Sequence, residues 1–124
     1  MNIEALKSKL RTFAKERDWD QFHSPKNLAM ALAGEAGELL EHFQWLTEEQ
    51  SKSLPADDAK KKKVSEELAD VAIYLVRLCD KLDIDLEQAI EAKMKANALK
   101  YPVSLAKGNA TKYTDFQEGE RVTR

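Results

Sequence analysis

The chain has 124 residues, room for one domain with a modest helical core, and its 22 acidic and 20 basic side chains nearly cancel to a formal net charge of -2. So even a balance excludes the strong overall field that would draw nucleic acid or an anionic membrane, and the single Cys79 excludes an internal disulfide. With no charged-then-apolar leader and no apolar run of bilayer length, a reducing cytoplasm is the expected location.

Ala, Leu, Glu and Lys dominate while Gly and Pro sit at a few punctuation points, which favours helix nearly everywhere and an all-α fold class. Residues 3–17 place Leu6, Leu10, Phe13 and Ala14 on one side, predicting an amphipathic helix, and residues 18–24 read as a loop. Ser24 followed by Pro25 marks the next helix start, a hydroxyl cap with proline in the first turn, and this helix is expected to run to Trp45. Thr47 and Gln50 have capping-box spacing for a short helical turn to Leu54, which Pro55 interrupts. From Val64 the positions Leu68, Val71, Leu75, Leu78 and Leu82 alternate by four and three, the pattern of a bundle seam. Ile73 and Val76 fall elsewhere on this third helix, so burial on more than one side is expected. Asp85 is placed to cap a fourth helix to Lys100 with Leu86, Ile90 and Met94 inward, and Pro102 ends it. Residues 103–124 lack a period and are expected to be irregular, with residues 117–124 a flexible tail outside a domain spanning 1–116.

Chemistry is concentrated in two acidic pairs. Glu35 and Glu38 are neighbours on one face of the second helix, a stripe that Ala31, His42 and Trp45 extend; Glu67 and Asp70 repeat the arrangement on the third, with Tyr74 one turn further. Acidic pairs in so charged a chain are ordinarily solvated helix faces. Here, however, the second pair lies beside the apolar seam, and Gly34 and Gly37, costly in a helix interior, flank the first and suggest close backbone approach to a neighbouring helix or a ligand. Carboxylates side by side on two helices facing a bundle interior call for a cation, and magnesium, a hard ion that joins carboxylates to phosphates, meets the need.

Glu35-Ala-Gly-Glu38 followed by Glu67-Leu-Ala-Asp70 resembles the paired acidic motif of MazG-like nucleotide pyrophosphohydrolases. The likeness extends to the stretch from Glu16 through Trp19 and His23 to Asn27, to Phe43-Gln-Trp45, to the segment from Glu66 to Val76, to the stretch from Lys93 to Pro102, and to the run from Gly108 to Tyr113. Over residues 5–116 these segments look like the deoxycytidine triphosphate pyrophosphatase branch of that family.

The resemblance implies a four-helix bundle completed by oligomerisation, as a homodimer or a homotetramer built as a dimer of dimers, with the site between helices near a subunit interface. It implies hydrolysis of a deoxynucleoside triphosphate, dCTP by preference, to the monophosphate and pyrophosphate, as nucleotide-pool house-cleaning. Glu35, Glu38, Glu67 and Asp70 would hold magnesium, with manganese as the alternative, and Glu35 or Glu38 would orient or deprotonate the attacking water. Lys93, Asn97 and Lys100, with Tyr101 at the helix end, would form a donor-rich phosphate and sugar face, a stripe that otherwise reads as ordinary solvation. Trp19, His23 and Trp45 would form a base pocket bordered by Tyr74, whereas by position alone both tryptophans read as core. His42 is not assigned as a ligand, because an oxygen-rich magnesium site needs no imidazole, and Cys79 reads as a small apolar filler.

A di-iron carboxylate bundle fails on spacing, since neither His23 nor His42 follows a Glu by three residues. A non-catalytic helical oligomerisation or interaction module is the rival from another class, since the third-helix seam would serve dimerisation without a metal. The basic run Lys60 to Lys63 lacks aromatic partners and reads as solvated rather than as a nucleic-acid contact.

Overall fold

The structure, a computed structural model, describes residues 1–110; among them all regular structure is helical. The helices are α1 (Ile3–Glu16), α2 (Pro25–Glu41), α3 (Glu48–Ser53), α4 (Asp58–Lys81), α5 (Leu86–Lys100) and α6 (Val103–Ala106), with 3-10 turns at Asp20–Phe22 and Leu54–Ala56. The chain forms two compact units, Met1–Asp85 and Leu86–Arg124.

In the first unit α4 is the central element: α2 makes its largest contact, and α1 packs on it as well. The buried apolar set is small, comprising Ala14, Leu28, Leu54, Val64, Val76 and Cys79, so Cys79 is the small filler expected. The third-helix seam is only partly internal, because Leu68 and Leu82 are about half exposed while Val76 is buried. Phe13 is likewise exposed, and Lys7 is buried in its stead, with Nζ donating to the Ile84 carbonyl at 3.0 Å.

Local chemistry explains the helix boundaries. The Ser24 hydroxyl accepts from the Asn27 N–H with Pro25 in the first turn, and Thr47 with Gln50 closes both bonds of its capping box. Helix α4 begins at Asp58, six residues ahead of the apolar pattern, because the Asp57 carboxylate caps the Lys60 N–H. Helix α2 stops at Glu41, short of Trp45, as the N–H groups of His42 and Phe43 turn to carbonyls three residues back, Leu39 and Leu40, and tighten the chain into a turn.

Two helices end on aspartate in the left-handed region, Asp18 (φ 54°) after α1 and Asp83 (φ 53°) after α4. At the first, the Asp18 N–H bonds to the Lys15 carbonyl and the Trp19 N–H to the Ala14 carbonyl; at the second, Asp83 bonds to Asp80 and Ile84 to Cys79. This is the paired closure usually made by glycine, and a short polar side chain tolerates it. Its consequence at α1 is to turn the chain sharply so that Trp19 comes back toward the helix it has just left.

In the second unit, α5 occupies the expected span, but none of its residues is buried, and Ile90 and Met94 of the expected inward stripe are exposed. Val103–Ala106 is helical rather than irregular, started by Pro102, whose carbonyl accepts from the Leu105 and Ala106 N–H groups. The proposed tail at 117–124 lies outside the described residues.

Candidate active site

Packing α2 against α4 brings the acidic residues together. Carboxylate oxygens of Glu35, Glu38 and Glu67 lie within 4.8 Å of one another, and they come from both helices. Oε2 of Glu35 and Oε2 of Glu67 are buried with no hydrogen-bond partner. Burial, and then the neighbouring carboxylates of Glu38 and Glu67, push the Glu35 carboxyl up to about 7. Glu67 is also raised, chiefly by burial. Oxygens without partners, on carboxylates that resist ionisation, form a donor set suited to a hard divalent cation. Asp70 stands outside the three-residue group, though its charge raises both Glu35 and Glu67. His42 approaches Glu67 only at 4.0 Å, a distance at which it makes no hydrogen bond.

Asp70 lines a cavity of about 250 Å³ between α1, the Asp20–Phe22 turn and α4, with walls that include Leu10, Phe13, Trp19, His23, Ile73, Tyr74 and Arg77. Trp19 meets Phe13 edge to face, centroids 5.7 Å apart, and the Arg17 guanidinium lies 3.6 Å above the other ring. A largely apolar chamber with aromatic walls and a carboxylate at its edge has the character of a small-molecule site. Trp19, His23 and Tyr74, expected around the base, thus share one cavity, and Asp70, expected with the metal carboxylates, lines it as well.

Trp45 does not join them. It sits in the turn after α2 with 86% of its surface exposed and is not among the cavity walls. Lys93, Asn97 and Lys100 follow one another at four and three residue steps along α5, with the Tyr101 N–H on the Asn97 carbonyl, in the second unit. No neighbouring helix among the described residues crowds the glycines beside the first acidic pair: a Cβ at Gly34 or Gly37 would meet nothing within 4 Å.

A group not predicted from the sequence backs the cavity. Arg77, 4% exposed, donates from Nη2 to Asp20 at 2.6 Å, from Nη1 to Asp80 at 3.5 Å and from Nε to Nδ1 of His23 at 3.2 Å. Lys81 also donates to Asp20, and Arg11 grips Asp80 with two bonds of 2.6 Å. The Lys81 and Arg77 bonds hold Asp20 below its ordinary range, as Arg11 does Asp80. The available signal was register: Asp70, Tyr74 and Arg77 share one helix face at steps of four and three, and an arginine inside an apolar run demands a partner.

The MazG-like family model matches residues 31–116. Curated relatives called dCTP pyrophosphatase 1 are 44% identical in Bos taurus and Mus musculus and 42% in Homo sapiens, each aligned over 117 residues, 94% of this chain and 69% of the relative. A pyrophosphatase crystal structure from Archaeoglobus fulgidus, 44% identical, superposes with a TM-score of 0.72 over 80% of this chain and 91% of its own.

Proposed function

From the premise that the chain belongs to the MazG-like family, we propose that it is a magnesium-dependent nucleoside triphosphate pyrophosphohydrolase, cleaving deoxynucleoside triphosphates, dCTP by preference, to monophosphate and pyrophosphate. The observation that carries this reading is the convergence of Glu35, Glu38 and Glu67 within 4.8 Å, with buried oxygens that nothing among the described residues satisfies. Glu35, Glu38, Glu67 and Asp70 would hold the metal, which when bound neutralises triphosphate charge and lowers the barrier to attack at the α-phosphorus. Manganese could substitute, having the same taste for oxygen ligands.

The chain's own groups do the rest. Glu35 or Glu38 orients the attacking water and takes its proton, while pyrophosphate departs. Trp19 supplies a flat face for the base, with His23 and Tyr74 beside it, and Trp45 completes the enclosure in the assembled oligomer. Lys93, Asn97, Lys100 and Tyr101 are the donors for phosphate and sugar. A homodimer or dimer-of-dimers tetramer accounts for Met30, Leu40 and Leu68, apolar side chains left exposed in the single chain. These residues equally favour a purely structural interaction module, but such a module leaves the buried carboxylates without a purpose. The work of such an enzyme, cleansing the nucleotide pool, would place it in the cytoplasm, and no helix among the described residues is long and apolar enough to cross a membrane.

The test is to incubate the purified chain with a panel of ribo- and deoxynucleoside triphosphates, with and without magnesium, and separate the products by anion exchange. Monophosphate and pyrophosphate in equal amounts, only with the metal and fastest from dCTP, are expected. Orthophosphate as the product, or no turnover of any nucleotide, sinks the reading.

A further inference from the structure

Arg77 is buried and lines the cavity, and of its three partners His23 is itself a cavity wall while Asp20 and Asp80 lie outside it. Asp20 follows Trp19 in the chain and opens the short turn, His23 closes it, and Asp80 lies one turn further along α4. The chain thereby ties the 3-10 turn between α1 and α2 to the helix that carries Asp70 and Tyr74.

The bond to His23 has a chemical consequence. A guanidinium has donors only, so the Nδ1 that faces Arg77 must accept, and the proton of the neutral ring must sit on Nε2. An imidazolium would point N–H at N–H, beside a fixed positive charge. Burial first and Arg77 second hold His23 below its ordinary range, Lys81 adds to this, and only Asp20 opposes it. Nε2 makes no hydrogen bond among the described residues, although the ring is part of the cavity wall.

We propose that Arg77 is a positioning residue for base recognition: it keeps His23 neutral with its proton on Nε2, so that the cavity beside Trp19 offers the base a fixed hydrogen-bond donor. The inference rests on the pyrophosphohydrolase reading and deepens it by supplying the group that chooses among bases. A donor at this wall is matched by N3 of cytosine, a bare acceptor, and opposed by N3 of thymine or uracil, which carries hydrogen. An uncommitted histidine would not discriminate, because its Nε2–H tautomer or its cation would donate to N3 of cytosine while its Nδ1–H tautomer would accept from N3–H of thymine. Arg77 removes that freedom before substrate arrives, as preorganisation requires.

The experiment uses the full chain with magnesium. Long-range proton–nitrogen spectra of the wild type, with His23 assigned by its disappearance in His23→Gln, should find Nε2 protonated and Nδ1 bare at neutral pH. Arg77→Gln should mix the tautomers, raise KM for dCTP roughly tenfold with a smaller change in kcat, and reduce the preference for dCTP over dTTP. His23→Gln should lose the same discrimination, and the double variant should lose no more than either alone. Because the wild-type spectrum and His23→Gln need no change at Arg77, they decide the matter even if Arg77→Gln fails to fold. A wild type that turns over no deoxynucleoside triphosphate sinks the functional reading and this inference together. A wild type that prefers dCTP while His23 is cationic or protonated on Nδ1 overturns the inference alone, and so do additive losses in the double variant.

Discussion

Helix α4 carries two charged clusters, and they are built on opposite principles. In its first half, Glu67 meets Glu35 and Glu38 of α2, three acidic side chains with oxygens within 4.8 Å and no cationic hydrogen-bond donor among the described residues. Toward its end, Arg77, Asp80 and Lys81 interleave with Asp20 and Arg11 so that every carboxylate has a cationic donor. The titrations follow: Glu35 and Glu67 are pushed up, Asp20 and Asp80 down. A cluster whose charges cancel internally can hold a turn in place, whereas one whose charges do not is incomplete until something from outside joins it. The contrast separates the part of the molecule that positions from the part that receives.

The largest effect is expected in the unbalanced cluster. Glu67→Gln should lower dCTP hydrolysis at least roughly a hundredfold, while the melting temperature in metal-free buffer stays level or rises because repulsion is relieved. The pair of measurements is thermal melting with chelator and product release with magnesium. Retained hydrolysis, or a clear loss of metal-free stability, would mean that Glu67 is an ordinary structural carboxylate.

A smaller effect is expected in the dependence of stability on pH. Glu35 has an ordinary value of 4.5 and about 7 in the fold, so between these limits the folded chain holds a proton that the unfolded chain has released. Its contribution is therefore present in full below 4.5 and is lost as pH rises toward about 7. Asp20 and Asp80 have the opposite sign, stabilising above their ordinary 3.8 and losing that contribution as pH falls through their lowered folded values. His23, lowered from 6.5, also opposes Glu35, stabilising above that value and losing its contribution as pH falls below it. The difference in melting temperature between wild type and Glu35→Gln isolates one term: without divalent metal, the variant should gain on the wild type across the Glu35 window, and magnesium should close the gap. A difference that does not move with pH would refute the assignment.

The smallest effect is expected in the balanced cluster. Lys81→Met leaves Asp20 still bonded to Arg77 at 2.6 Å, and the Asp20 side chain is 59% exposed. The melting temperature should move by less than about 4 °C, with kcat and KM for dCTP unchanged. A large kinetic change would show that Lys81 reaches the substrate and that this cluster also receives.

Local chemistry in the sequence was enough to determine the helical class, the caps at Ser24 and Thr47, and the pairing of Glu35 with Glu38 and of Glu67 with Asp70, because each depends on neighbours within about one helical turn. The same reach misjudged α2 at its end, where Leu39 and Leu40 accept bonds that tighten the turn before Trp45, and it left the start of α4 unassigned, where an aspartate cap works without an apolar pattern. It had no means of seeing that Asp18 and Asp83 would take the backbone into the left-handed region where glycine is usual. Only the tertiary structure set Glu35 and Glu67 from separate helices against each other, left Trp45 outside the chamber that holds Trp19, and brought Arg77 onto a histidine 54 residues away. The physical reason is that a helical repeat fixes which residues share a face, but the burial, partners and proton positions of that face depend on what packs against it.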